Sequence, residues 1–173
     1  MNNILINRVW AMPNKNTFKI KPIHELIEKY TDSNKIWIDP FARTNQFKCI
    51  TNDLNTNFNT DYNLESLDFL NMFESNYVDG VLFDPPYSPR QMKESYQSIG
   101  LKLTHEQTQS SFYSKRKAKI AKILKPNGVC ISFGWNSNGI GKTKGFEIIE
   151  ILLVSHGSNH NDTICTVERK LFT

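Results

Sequence analysis

Seven residues constrain this chain more than any others: Val81-Leu82-Phe83-Asp84-Pro85-Pro86-Tyr87. A continuous apolar run reads as the end of a buried strand. Two prolines follow it, and proline has no amide hydrogen, so the strand ladder must stop and the chain must turn rigidly. Asp84 and Tyr87 are thereby held at the carboxyl end of a strand. In an open α/β sheet that is where ligands bind.

The rest of the chain agrees with an α/β reading. Its 173 residues suit one domain with a substantial core. No apolar run reaches the roughly 18 residues of a membrane span, and the N-terminus lacks a secretory pattern, so a cytoplasmic protein is expected. Cys49, Cys130 and Cys165 form no even set and no C-x-x-C pair. They read as small core residues of a reducing compartment. A net charge of +4 permits a polyanionic partner without demanding one.

Residues 1–19 show no clear period, and Trp10-Ala11-Met12-Pro13-Asn14 reads as a loop. Pro22 to Tyr30 reads as a helix with proline at its start and Ile23, Leu26, Ile27 and Tyr30 on one face. Lys35 to Pro40 is the next strand, again ending in an acid and a proline. Residues 49–52 form a second short strand that ends at Asp53. Glu65 to Phe73 reads as a helix. Thr104 to Ser114 is polar and is expected to be a mobile loop. Lys115 to Lys125 reads as the end of an amphipathic helix, closed by a Pro126-Asn127-Gly128 turn. Val129–Phe133, Gly145–Ser155 and Thr163–Lys170 are strands, and the 156–162 connection is short enough for a hairpin.

Asp84-Pro85-Pro86-Tyr87 resembles the DPPY signature of the S-adenosylmethionine (SAM)-dependent amino-methyltransferases. Asp39-Pro40-Phe41-Ala42 resembles the opening of that family's SAM-binding loop, usually D-P-F-A-G-S-G. Thr17 to Pro22 is a weaker match to a segment that helps hold SAM, with Phe18 as the residue of interest. The resemblance implies a class I methyltransferase fold: a Rossmann-like, mostly parallel sheet with a C-terminal antiparallel hairpin. It implies SAM as cofactor, bound by Phe18, Asp39, Pro40, Phe41, Asp53, Glu65 and Asp84. Asp53 would accept the ribose hydroxyls and Glu65 the adenine amino group, although a carboxylate such as Glu65 also suits a helix N-terminus by the dipole alone. It implies adenine N6 as target, because the first motif residue is Asp, with Asp84, Pro85, Pro86 and Tyr87 as the catalytic set and no metal required.

Two features depart from that pattern. Arg43-Thr44-Asn45 stands where Gly-Ser-Gly is expected, so the methionine half of SAM must be held another way. Asp39 and Asp53 are also too close in sequence for a full crossover helix between their strands. If that loop has lost SAM binding, the fold would serve instead as a nucleic-acid or protein interaction module.

Arg90, Lys93, Lys115, Arg116 and Lys142 are candidates for contacts to a phosphate backbone, though a lysine-rich helix face is often merely solvated. The chain has no room for a separate target-recognition domain. It would read a short site with loops 88–114 and 134–145, act as a homodimer, or modify structured RNA. An orphan DNA adenine methyltransferase of the phage-borne kind is the leading expectation. Two other motifs carry less. Gly139-Ile140-Gly141-Lys142-Thr143 resembles a phosphate-binding loop, but Asn136 stands where that loop needs glycine, and a strand rather than a helix follows. His156 and His160 lack further ligands at metal spacing.

Overall fold

The computed structural model describes residues 3–102, 110–157 and 159–171. Seven strands form one sheet: β1 (Leu5–Trp10), β2 (Trp37–Asp39), β3 (Ile50–Thr51), β4 (Val78–Phe83), β5 (Leu124–Gly134), β6 (Phe146–Ser155) and β7 (Thr163–Lys170). Their spatial order is β1-β6-β7-β5-β4-β2-β3. Among the described residues β7 alone runs antiparallel, between β5 and β6; the other neighbours pair in parallel.

Among the described residues four α-helices flank the sheet: α1 (Lys21–Tyr30), α2 (Ser66–Asn71), α3 (Pro89–Gln97) and α4 (Ser110–Ile123). Both faces of β4 are buried, as a central parallel strand requires. Val81 and Phe83 meet Phe69 and Leu70 of α2 and Ile120 and Ile123 of α4. Leu82, one residue out of phase, meets Ile23, Leu26 and Ile27 of α1. Gly80 is required by packing: a Cβ there would lie 2.3 Å from the Trp37 ring.

The chain steps outward from β2 to β3, then returns to place β4 on the other side of β2. That reversal opens a crevice at the carboxyl ends of β2 and β4, the usual ligand site of such sheets. Asp39 ends β2, and Asp84 follows β4 directly.

Several sequence expectations change. Residues 5–10, read as patternless, form β1; most of that strand is exposed, so burial imposes no alternation on it. Residues 111–114 continue α4 rather than forming a loop, and 104–109 lie outside the described residues. Residues 89–97 form a helix, with Ser88 as its cap and proline in its first turn. The Pro126–Gly128 turn is present as a left-handed residue, Asn127 (φ 62°), set inside β5, which follows α4 without a loop. The short β2–β3 connection contains no helix, as the Asp39 to Asp53 spacing requires.

Candidate active site

Asp84 is half-buried where β4 gives way to the two prolines. The Tyr87 hydroxyl donates to Asp84 Oδ1. The Tyr87 backbone N–H donates to Gln91 Oε1 at 2.7 Å, tying the turn to α3. The Tyr113 hydroxyl donates to the Pro86 carbonyl, tying it to α4. The turn is therefore fixed from three sides before any ligand arrives. Burial pushes the Asp84 carboxyl up, while hydrogen bonds from Tyr87 and Thr17 and the charge of Arg43 oppose that shift. The Tyr87 ring lies 5.8 Å from that of Trp135, which is 43% exposed at the end of β5.

The facing wall is the loop after β2. Asp39 is fully buried and organises it, accepting the Phe41 backbone N–H at 3.0 Å and an Asn45 amide hydrogen at 2.8 Å. Burial pushes the Asp39 carboxyl up to about 8. A tight turn closes with Asn45 N–H donating to the Ala42 carbonyl at 2.7 Å. Asp53 clamps the same turn, accepting the Arg43 backbone N–H at 3.0 Å on one oxygen and that of Asn55 at 2.9 Å on the other.

Between the walls lies a cleft of about 700 Å³. Phe41, Arg43, Asp53, Leu54 and Glu65 line one half, Asp84 to Tyr87 stand at the middle, and Trp135, His156 and His160 line the other. A side pocket of about 80 Å³ opens at Asp84 between residues 15–19 and 41–47. Phe18 lines that pocket, with its ring 4.9 Å from Phe133 and 6.2 Å from Phe47.

The sequence-derived residues divide accordingly. Phe18, Pro40, Phe41, Asp53, Glu65 and Asp84 to Tyr87 converge on the cleft or its side pocket. Asp39 does not line either; its role lies beneath the loop, because both carboxylate oxygens point into loop donors. Glu65 is half-committed already. It caps α2 by accepting the Leu67 N–H at 2.8 Å and pairs with Arg116 at 2.5 Å.

Arg116 is corrected as a phosphate contact. It is 4% exposed, packs over the Phe112 ring at 3.3 Å and donates to Ser66 Oγ at 2.6 Å. Lys142 is corrected as a site residue. It precedes β6, whose Phe146 pairs with Lys170 at the end of the sheet opposite Asp84. Arg90 and Lys93 are exposed on α3, which borders the cleft, and Lys115 is exposed on α4. Arg90 pairs with Glu94 at 2.8 Å.

Sequence reasoning missed Trp135, Tyr113 and Thr17. Thr17 stood within the Thr17–Pro22 segment without being singled out, and Trp135 carried its own signal, an aromatic residue immediately past the end of a buried strand. The phosphate-loop resemblance at 139–143 has a structural explanation: buried Glu168 accepts the Ile140 N–H at 2.5 Å and the Gly141 N–H at 2.9 Å. His156 lies 2.8 Å from the Ala11 carbonyl and 2.9 Å from Thr163 Oγ1, so both ring nitrogens are engaged within the fold. No described helix is long and apolar enough to cross a membrane.

No protein-family model and no curated protein matches the sequence. Solved structures do match the fold. The N-methyltransferase NodS from Bradyrhizobium japonicum WM9 aligns over 92% of this chain and all of its own length (100%), with TM-score 0.58 and 8% identity. TrmN from Thermus thermophilus aligns over 88% of this chain and 49% of its own, with TM-score 0.57 and 14% identity. The 1,6-didemethyltoxoflavin-N1-methyltransferase from Burkholderia thailandensis, solved with 1,6-didemethyltoxoflavin and S-adenosylhomocysteine bound, aligns over 80% of this chain and 72% of its own, with TM-score 0.52 and 11% identity. At these identities the likeness concerns architecture, and it agrees with the sheet order and the switch-point cleft: this chain has the Rossmann-like class I fold of the SAM-dependent methyltransferases.

Proposed function

We propose that this protein transfers a methyl group from SAM to an exocyclic amine, with adenine N6 in nucleic acid as the target and DNA ahead of RNA. The observation that carries the reading is Asp84. A carboxylate on a rigid Pro-Pro turn stands at the junction of two half-clefts, at the switch point of a methyltransferase-fold sheet.

The half-cleft beside β2 and β3 fits SAM. Leu54, Leu64 and Phe58 offer an apolar slot for an adenine ring, Asp53 lies beside it, and Arg43 and the side pocket with Phe18 lie toward Asp84. Bound there, SAM supplies a methyl group on a sulfonium, an electrophile that needs only an aimed lone pair. An adenine amine is a weak nucleophile because its lone pair is delocalised into the ring. Asp84 and the Pro85 carbonyl would each accept a hydrogen bond from one amine N–H, which draws the nitrogen toward a tetrahedral shape and takes its lone pair out of conjugation with the ring. The prolines hold this geometry in advance. The Asp84 charge would also stabilise the nitrogen as it becomes positive, while its bond to the methyl forms and the methyl–sulfur bond breaks, with S-adenosylhomocysteine as the leaving group and the nitrogen's extra proton passing to solvent. Tyr87 and Trp135 offer aromatic surface to a base brought out of its stack.

A second reading, a catalytically silent binding module, draws on the engaged state of Asp53 and Glu65, whose carboxylates already serve backbone amides and Arg116. Labelled SAM offered with duplex DNA, single-stranded DNA and total RNA, followed by nucleoside mass spectrometry, separates the two. N6-methyladenine nucleosides are expected, and Asp84→Ala is expected to abolish them with the fold intact. No methylated nucleoside from the folded wild type, or normal turnover by Asp84→Ala, overturns the proposed function.

A further inference from the structure

The turn after β2 places an arginine where its backbone geometry favours glycine. Asn45 N–H closes the turn onto the Ala42 carbonyl at 2.7 Å, and Arg43, at the turn's second position, has φ 46°. A side chain seldom adopts that conformation, and glycine does so freely. Backbone outliers of this kind concentrate at ligand clamps, where the side chain or its placement has a use.

The Arg43 side chain has such a place. It lines both the main cleft and the side pocket, so it stands where the two meet. Its Nη1 donates to the Lys15 carbonyl at 3.3 Å, and its guanidinium carbon lies 5.9 Å from the centre of the Phe58 ring. Asp53 and Asp84 both feel its charge from opposite walls. These contacts steady the stem and leave further N–H donors of the fork for a planar anion. Lys15 and Lys19 line the same side pocket, so that with Arg43 three cations border it beside the one carboxylate of Asp84.

We infer that the Arg43 guanidinium binds the carboxylate of the cofactor's amino-acid end, replacing by a side-chain fork the backbone approach that a glycine loop would provide. The inference rests on the SAM reading of the cleft. It makes Arg43 a specificity residue for ligands that carry that carboxylate.

Binding of S-adenosylhomocysteine and of 5′-methylthioadenosine, which lacks the amino-acid end, tests this by titration calorimetry on the full chain. Arg43→Gly suits the turn and so preserves the fold. It is expected to weaken S-adenosylhomocysteine by about 10- to 100-fold, the effect of one charge-assisted contact. Methylthioadenosine affinity is expected to stay unchanged, and Arg43→Lys to recover part of the loss. Unchanged S-adenosylhomocysteine binding in Arg43→Gly overturns the assignment, and so does an equal loss for both ligands, which marks a purely structural loop residue. A wild-type protein that binds neither ligand overturns the SAM reading itself, and the assignment with it.

Discussion

In the proposed reaction Asp84 and the Pro85 carbonyl each accept one amine hydrogen, which for Asp84 calls for the ionised carboxylate, yet burial favours its neutral form. The Tyr87 hydroxyl offsets part of that conflict by donating to it. Tyr87→Phe keeps the aromatic face and removes the donor. Losing a hydrogen bond to the charged form raises the carboxyl pKa further. The acid limb of the pH–rate profile for methyl transfer is therefore expected to move to higher pH, with near-normal rate on the alkaline plateau. An unmoved limb would show that Asp84 ionisation does not control the reaction. At this scale the sequence displayed Asp84 and Tyr87 plainly, because they sit in one local motif. It could not display the bond between Glu65 and Arg116, 51 residues apart, because only the packing of α2 on α4 brings them together.

That packing shows why Arg116 was misplaced on a lysine-rich solvent face. The helix begins at Ser110, earlier than the charge pattern implied, and Phe112, Arg116, Ile120 and Ile123 then fall on one buried stripe at helical spacing. The guanidinium completes the stripe by tying α4 to the first turn of α2 through Ser66 and Glu65. Arg116→Ala leaves the partly exposed Glu65 carboxylate without its cation and Ser66 without its donor. Losing such a charged hydrogen-bond partner typically costs about 1–3 kcal/mol, and urea unfolding is expected to show a loss of that size. Arg116→Ala together with Glu65→Leu should recover part of it. A loss no larger than that of an exposed lysine, such as Lys93→Ala, would mean that the pair contributes nothing to helix docking. By contrast, α3 was legible in principle, since Ser88-Pro89 is a helix-start signal. β1 was not, since its partner β6 lies more than 130 residues away and its exposed residues carry no period.

For the whole molecule, the fold class was legible through the resemblance carried by Asp39–Ala42 and Asp84–Tyr87, with acids at strand ends and a late hairpin in agreement; the strand order was not, because it is set by pairings distant in sequence. The same architecture gathers carboxylates into buried positions, and that has a thermodynamic consequence. Asp39, Asp53, Asp84 and Glu168 all have their pKa raised chiefly by burial. A raised carboxyl binds its proton more tightly folded than unfolded, so stability falls as pH rises between the unfolded and folded values. For Asp39 that window runs from an ordinary aspartate value of 3.8 to about 8. Asp79, lowered by its hydrogen bonds from Ile36 and Lys125, acts in the opposite sense but only as pH falls below the ordinary range. The melting temperature is therefore expected to decline from pH 5 to pH 8. Asp39→Asn keeps an acceptor for the Phe41 amide and removes the ionisation, so its decline over the same interval should be shallower. Melting curves across that interval decide the matter: a wild-type melting temperature that climbs toward pH 8, or a slope that Asp39→Asn leaves untouched, would mean that Asp39 is ionised in the folded protein and that its loop is held by a full charge.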